Sequence, residues 1–148
     1  MKNIELHHPH ILKIHKFMFL ASKSIDKILD EVLNIGFSQS MILMYINTHP
    51  KTSQRDISSN RNITPAAVSR HIDILIQKEY IQLKENKLNR REHILEISPK
   101  GEDVLYQIIN IVNDQLDIIC HDLDKKEIAE VDKIFTKLLI SFDDKDVC

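Results

Sequence analysis

Two glycines in 148 residues are too few for a Gly-rich β fold, tryptophan is absent, and aromatic residues make up 5% of the chain. A mostly helical protein is the expectation. Cysteine is scarce as well: Cys120 and Cys148 are far apart in sequence, and neither belongs to a CxxC pair, which excludes a disulfide framework and points to a reducing cytoplasm. No run of about 18 apolar residues occurs, and no basic segment near the start leads into an apolar stretch, so neither membrane insertion nor secretion is expected. A nucleophile elbow, a phosphate loop and paired catalytic carboxylates are all missing, which argues against an enzyme and against a cofactor. His7, His8, His10 and His15 cluster, with Glu5 and His8 at Glu-x-x-His spacing, but Pro9 interrupts any helix there and no matching carboxylate–histidine set follows. No metal site is expected. Cys120 has only His121 beside it as a potential cation, too little to mark a reactive thiol.

What is present suits one compact domain over residues 1–148: 43% of the residues are apolar, enough for a core. The net charge of −2 excludes a surface basic all round, so a nucleic-acid face must be local. Residues 51–93 carry nine Lys/Arg against five Asp/Glu, while residues 94–148 carry six against thirteen. The middle of the chain is basic and its last third acidic.

Apolar Ile11, Ile14, Met18, Ile25, Ile28 and Val32 recur at helical spacing and predict a first helix over 10–34. Ser38 is the expected N-cap of a second helix reaching Thr48, with Phe37 and Ile42 as its hydrophobic staple. Ser53 caps a short third helix ending near Asn60, with Asp56 in its first turn. Thr64 followed by Pro65 is the strongest helix start, opening a helix over 64–78. Its inner stripe is Val68, Ile72, Leu75 and Ile76, which turns Ala66, Ser69, Arg70, Asp73 and Gln77 the other way. Two β-like runs, 80–84 and 93–97, flank a polar tip, 85–92, that carries Lys87, Arg90 and Arg91. Ser98 and Pro99 repeat the cap-and-proline device before a long fifth helix, and Asp124 with Glu127 forms a capping box for a sixth. The outer helices carry more apolar residues than a core of this size can receive, so a twofold dimer built from the first, fifth and sixth helices is expected.

This order resembles the MarR family of bacterial transcription regulators over nearly the whole chain. The segment SQRDISSNRNITPAAVSRHIDIL is similar to that family's third and fourth helices, and NRREHILEISPKGEDVL to its wing and the helix after it. The resemblance implies a mainly α (α+β) fold: a winged helix-turn-helix lobe over 37–97 with a two-stranded wing, and helices 10–34 and 98–142 forming a dimerisation bundle. It implies that Ser53, Gln54, Thr64, Ala66, Ser69 and Arg70 serve the major groove of double-stranded DNA, with Lys87, Asn89, Arg90 and Arg91 at the wing. A repressor on an inverted repeat follows, relieved by a small aromatic effector near Phe17, Met41, Met44 and Tyr45. Three positions depart from the family pattern. Asn89 replaces the aspartate of Asp-Arg-Arg, Glu79 stands in place of the glycine that ends the fourth helix, and Gln82 and Leu83 occupy a strand position that is often basic. The competing reading is a winged-helix module that binds protein and never touches DNA.

Overall fold

The computed structural model describes residues 8–61, 63–86 and 92–143. The expected wing residues Lys87, Asn89, Arg90 and Arg91 lie outside the described residues, as does His7. In chain order the elements are α1 (His10–Leu33), α2 (Phe37–Thr48), α3 (Gln54–Arg61), α4 (Pro65–Gln77), β1 (Ile81–Glu85), β2 (His93–Ile97), α5 (Pro99–Ile119) and α6 (Lys125–Asp143). They fall into two compact units, Met1–Gln115 and Leu116–Cys148.

In the first unit, one core joins every element. Leu29 of α1, Ile42 and Leu43 of α2, Ile57 of α3, Val68 and Leu75 of α4, Leu95 of β2 and Ile108 of α5 are all fully buried. Removing that much apolar surface from water is the main stabilising term. The inner line of α1 is Ala21, Ile25 and Leu29, while Ile11, Met18 and Val32 of the predicted stripe are exposed in the single chain.

The start of α2 differs from the expectation. Gly36, in extended conformation, is the N-cap, and Ser38 sits inside the first turn. The caps come from elsewhere: Asp26 Oδ1 on α1 accepts the Phe37 amide at 2.6 Å, and Gln39 Oε1 accepts that of Gly36 at 3.1 Å. The carboxylate also complements the positive end of the helix dipole. With the cap at position 36, the residue before it is buried Ile35, so the expected Phe37–Ile42 staple does not apply.

Strands β1 and β2 pair antiparallel, with Ile81 opposite Ile97 and Leu83 opposite Leu95. The far edge of β2 is held by the α2–α3 connection: Leu95 donates its amide to Thr52 O at 2.9 Å, and Ser53 bridges Ile94. Strand β2 is therefore fixed to the start of α3, which places the two strands beside the helices.

The second unit holds the end of α5 and α6. Asp124 Oδ1 accepts the Lys126 and Glu127 amides at 2.7 and 2.9 Å, and Glu127 Oε2 accepts that of Asp124 at 2.9 Å. This is the expected capping box. Along α6, every residue whose side chain is described is exposed, including Ile128, Val131, Ile134, Phe135, Leu138 and Leu139.

Candidate nucleic-acid interface

The Thr64–Pro65 signal produces the helix start it predicts. Thr64 is extended, its hydroxyl accepts the Ala67 amide at 3.3 Å, and Pro65 fills the first helical position, where no amide is left unpaired. Burying Val68, Ile72 and Leu75 fixes the rotation of α4 about its axis. The opposite line, Ala66, Arg70, Asp73 and Gln77, is exposed at steps of four, three and four. Small Ala66 at the entry end lets backbone approach a groove, and Arg70 next along the line carries a guanidinium fork suited to a bidentate acceptor.

Helix α3 is braced by a reciprocal pair. Asp56 Oδ2 accepts the Ser53 amide at 2.7 Å and the Ser53 hydroxyl at 2.8 Å, while Ser53 Oγ accepts the Asp56 amide at 3.2 Å. The Ser53 amide, then its hydroxyl, hold the Asp56 carboxyl below its ordinary range, and burial opposes them. Ser53 is 7% exposed with its hydroxyl committed to Asp56, so it shapes the end of α3 from the inside. Gln54 is half-buried and Arg55 exposed, with Arg55 3.9 Å from Glu92 at the foot of the wing.

Between α3, α4 and the hairpin lies a cleft of about 540 Å³. Gln54 and Ser58 line it from α3, Ser69 and Asp73 from α4, and Leu83 and His93 from the strands. The structure thus brings Ser53, Gln54 and Ser69 together around one cleft, with Thr64, Ala66 and Arg70 along the exposed side of α4. Met44 and Tyr45 pack against the core and Met41 is half-buried, whereas Phe17 is exposed on α1. Two further residues line the cleft. Arg55 adjoins Gln54 within the basic segment, which is a signal in the sequence; Asp73 lies on the outer side of α4 by its helical spacing, and its position at the cleft depends on the hairpin packing.

Comparison with known proteins follows the same geometry. Residues 33–92, from the end of α1 through the hairpin tip, match the model of the MarR family. The HTH-type transcriptional regulator TcaR of Staphylococcus aureus is 28% identical over 130 residues, covering 84% of this chain and 85% of its own. A MarR protein from Peptoclostridium difficile superposes with a TM-score of 0.83 at 20% identity, covering 97% of this chain and 94% of that one. A mutant E. coli MarR complexed with operator DNA superposes with a TM-score of 0.71 at 18% identity, covering 91% and 99%. The family model falls on the helix-turn-helix and hairpin described above, and the shared fold extends over almost the whole chain: the chain has a winged helix-turn-helix fold and is similar to transcriptional regulators of the MarR family.

Proposed function

We propose that the protein acts in the cytoplasm as a homodimeric repressor that reads an inverted-repeat operator through α4 and the wing. The carrying observation is the exposed line of α4, with Ala66 and Arg70 toward its capped end, set beside a hairpin whose strand β2 is fixed to the start of α3. In this reading Arg70 donates two parallel hydrogen bonds to guanine O6 and N7, worth about 1–3 kcal/mol of discrimination against a wrong base. Thr64, Gln54 and the α3 end braced by Ser53 meet the phosphates, and Ser69 lies at the margin of the face. Lys87, Asn89, Arg90 and Arg91 serve as the wing contacts, with Arg90 or Arg91 reaching into the minor groove, where a narrow groove concentrates negative potential.

Two copies give the reader its symmetry. The exposed apolar rows of α1 and α6 favour a partner, and a second identical chain covers both economically, with helices 10–34 and 98–142 as the dimerisation bundle around lobe 37–97. Half-sites then lie about 10 base pairs apart or a multiple of that. A small aromatic effector relieves repression by favouring a lobe spacing that misfits the operator. Phe17, Met41, Met44 and Tyr45 are one candidate lining for it. The cleft between α3, α4 and the hairpin is the other, since a ligand there meets Gln54 and Ser69 of the DNA face directly.

Binding of the purified protein to duplexes from the DNA flanking its own gene tests the proposal. The expected result is binding to an inverted repeat that weakens steeply with salt. Arg70→Ala and Arg91→Ala should each reduce it, the first with relaxed base preference. Binding to no duplex supports the protein-interaction module instead.

A further inference from the structure

Helix α4 has a third side. Ala67, His71, Ile74 and Lys78 follow one another at steps of four, three and four, and all four are half-buried. At the end of this line the Lys78 ammonium donates a hydrogen bond of 2.7 Å to the backbone carbonyl of Asn34, the residue that ends α1. A cation is favoured there, because the carbonyls of a last helical turn carry the negative end of the dipole.

Both feet of this bridge are held by the backbone. Asn34 is left-handed, with φ of 50°, and its amide is bonded to Asp30 O and Leu29 O. The corner it begins is tied to α1 by Asp26 and to α2 by Gln39. On the other side, the Lys78 amide is bonded to Ile74 O, and the next two amides close the helix end, Glu79 to Ile76 O at 2.8 Å and Tyr80 to Leu75 O at 2.9 Å. That pattern is a Schellman motif, which fixes where the Lys78 side chain starts. The flexible part of the connection is one lysine stem, immobilised by a charge-assisted bond at its tip.

We propose that Lys78 is a positioning residue that sets the orientation of the reading helix against α1, and so the half-site spacing that a pair of copies accepts. The inference rests on the DNA-reading function proposed above. Lys78 lies twelve residues beyond Ala66, about 18 Å along the helix axis, and its ammonium is engaged with a carbonyl. It acts on DNA through the angle of α4. Swinging α4 against α1 breaks the Lys78–Asn34 bond, so the bond penalises operators whose half-sites are too near or too far.

The test uses a duplex selected from a random pool by the wild-type protein, then resynthesised with its half-sites shifted by about one to three base pairs, a fraction of a helical turn. Lys78→Ala should bind the selected duplex roughly three- to tenfold more weakly, the range for one charge-assisted bond at a partly exposed site. It should lose less on the shifted duplexes, flattening the spacing preference. The slope of log affinity against log salt should stay at the wild-type value, and Lys78→Arg, which keeps a cationic donor, should restore the preference. A slope reduced by about one with the spacing preference intact would mean a phosphate contact and would overturn the proposal, as would wild-type spacing preference in Lys78→Ala. Thermal melting checks folding, and Lys78→Met, which keeps the apolar stem, supplies the same comparison if the alanine variant is unfolded. If the wild type selects no duplex, the DNA-reading proposal falls and this one with it; the variant outcomes overturn this one alone.

Discussion

Gly101 lies directly against the carbonyl of Tyr80, so close that a β-carbon at position 101 would collide with the Tyr80 backbone and with the Ile97 side chain. The approach is drawn tight by three hydrogen bonds: Ser98 donates its amide to Tyr80 O at 3.0 Å and its hydroxyl to Glu79 O, and Gly101 donates its amide to Ser98 Oγ at 3.0 Å. The N-cap of α5 is thus built on the C-terminal end of α4, which makes this junction an anchor of that helix.

Gly101→Ala should therefore cost about 3 kcal/mol, the upper part of the overpacking range, because the opposing atoms are backbone and cannot rotate away. For a chain of this length that is about 10 °C in melting temperature. Thermal and urea unfolding of the variant check it, and a loss below about 1 kcal/mol would show that the α4–α5 junction yields.

Glu79 pulls the other way. It occupies the left-handed position that ends α4, with φ of 63°, where a side chain is strained and glycine is not. Its carboxylate meets Lys100 Nζ at 3.0 Å, but both side chains are well exposed and the pair contributes little. Glu79→Gly should raise stability by about 0.5–1 kcal/mol, since relief of the strain outweighs both the lost pair and the added freedom of the unfolded chain. The shift in urea midpoint at constant slope measures it.

The difference between these two positions marks what sequence can carry. The Thr64 and Ser98 caps, each followed by proline, were legible because a cap is a local device. So was the special place of Glu79, through the family pattern. The N-cap of α2 lies at Gly36 and not at Ser38 because the Phe37 amide is capped by the Asp26 carboxylate from α1, eleven residues away, which no local pattern encodes. The rotation of α4 could be read from its apolar stripe, and with it the exposure of Arg70. The cleft beside Ser69, the burial of the Ser53 hydroxyl and the Lys78–Asn34 bond all depend on how elements pack, and side-chain spacing along one helix says nothing of that.

Asp56 links the start of α3 to pH. Its folded-state pKa is held below the unfolded value by the Ser53 amide and hydroxyl, so its contribution to stability is complete above about pH 4 and fades as the pH falls through the lowered folded value. Protonation removes an acceptor that receives two hydrogen bonds at the N-terminus of α3. Asp56→Asn should cost about 1 kcal/mol at neutral pH, as loss of a cap does, and its deficit relative to the wild type should shrink in acid. Urea unfolding of both proteins from pH 7 to pH 3 checks the sign; a deficit that grows in acid would contradict it.

The sixth helix gives the most direct test of pairing. Val131, Phe135 and Leu138 follow one another at steps of four and three on α6, and each is more than a third exposed in the single chain. A substitution there takes nothing from the core of the first unit, whose buried residues end at Ile108. Leu138→Glu should consequently leave the folding of that core intact while placing a charge where a partner's apolar surface would meet it, an uncompensated burial that costs several kcal/mol per interface. Light scattering at micromolar concentration should then give a particle of twice the 17.3 kDa chain for the wild type and of one chain for the variant. Affinity for a two-half-site duplex should fall much further than affinity for a single half-site, because the variant must bring its two copies together on the DNA itself. A wild type that scatters as a single chain would overturn the pairing, and a Leu138→Glu protein that stays paired would place the twofold contact elsewhere than α6.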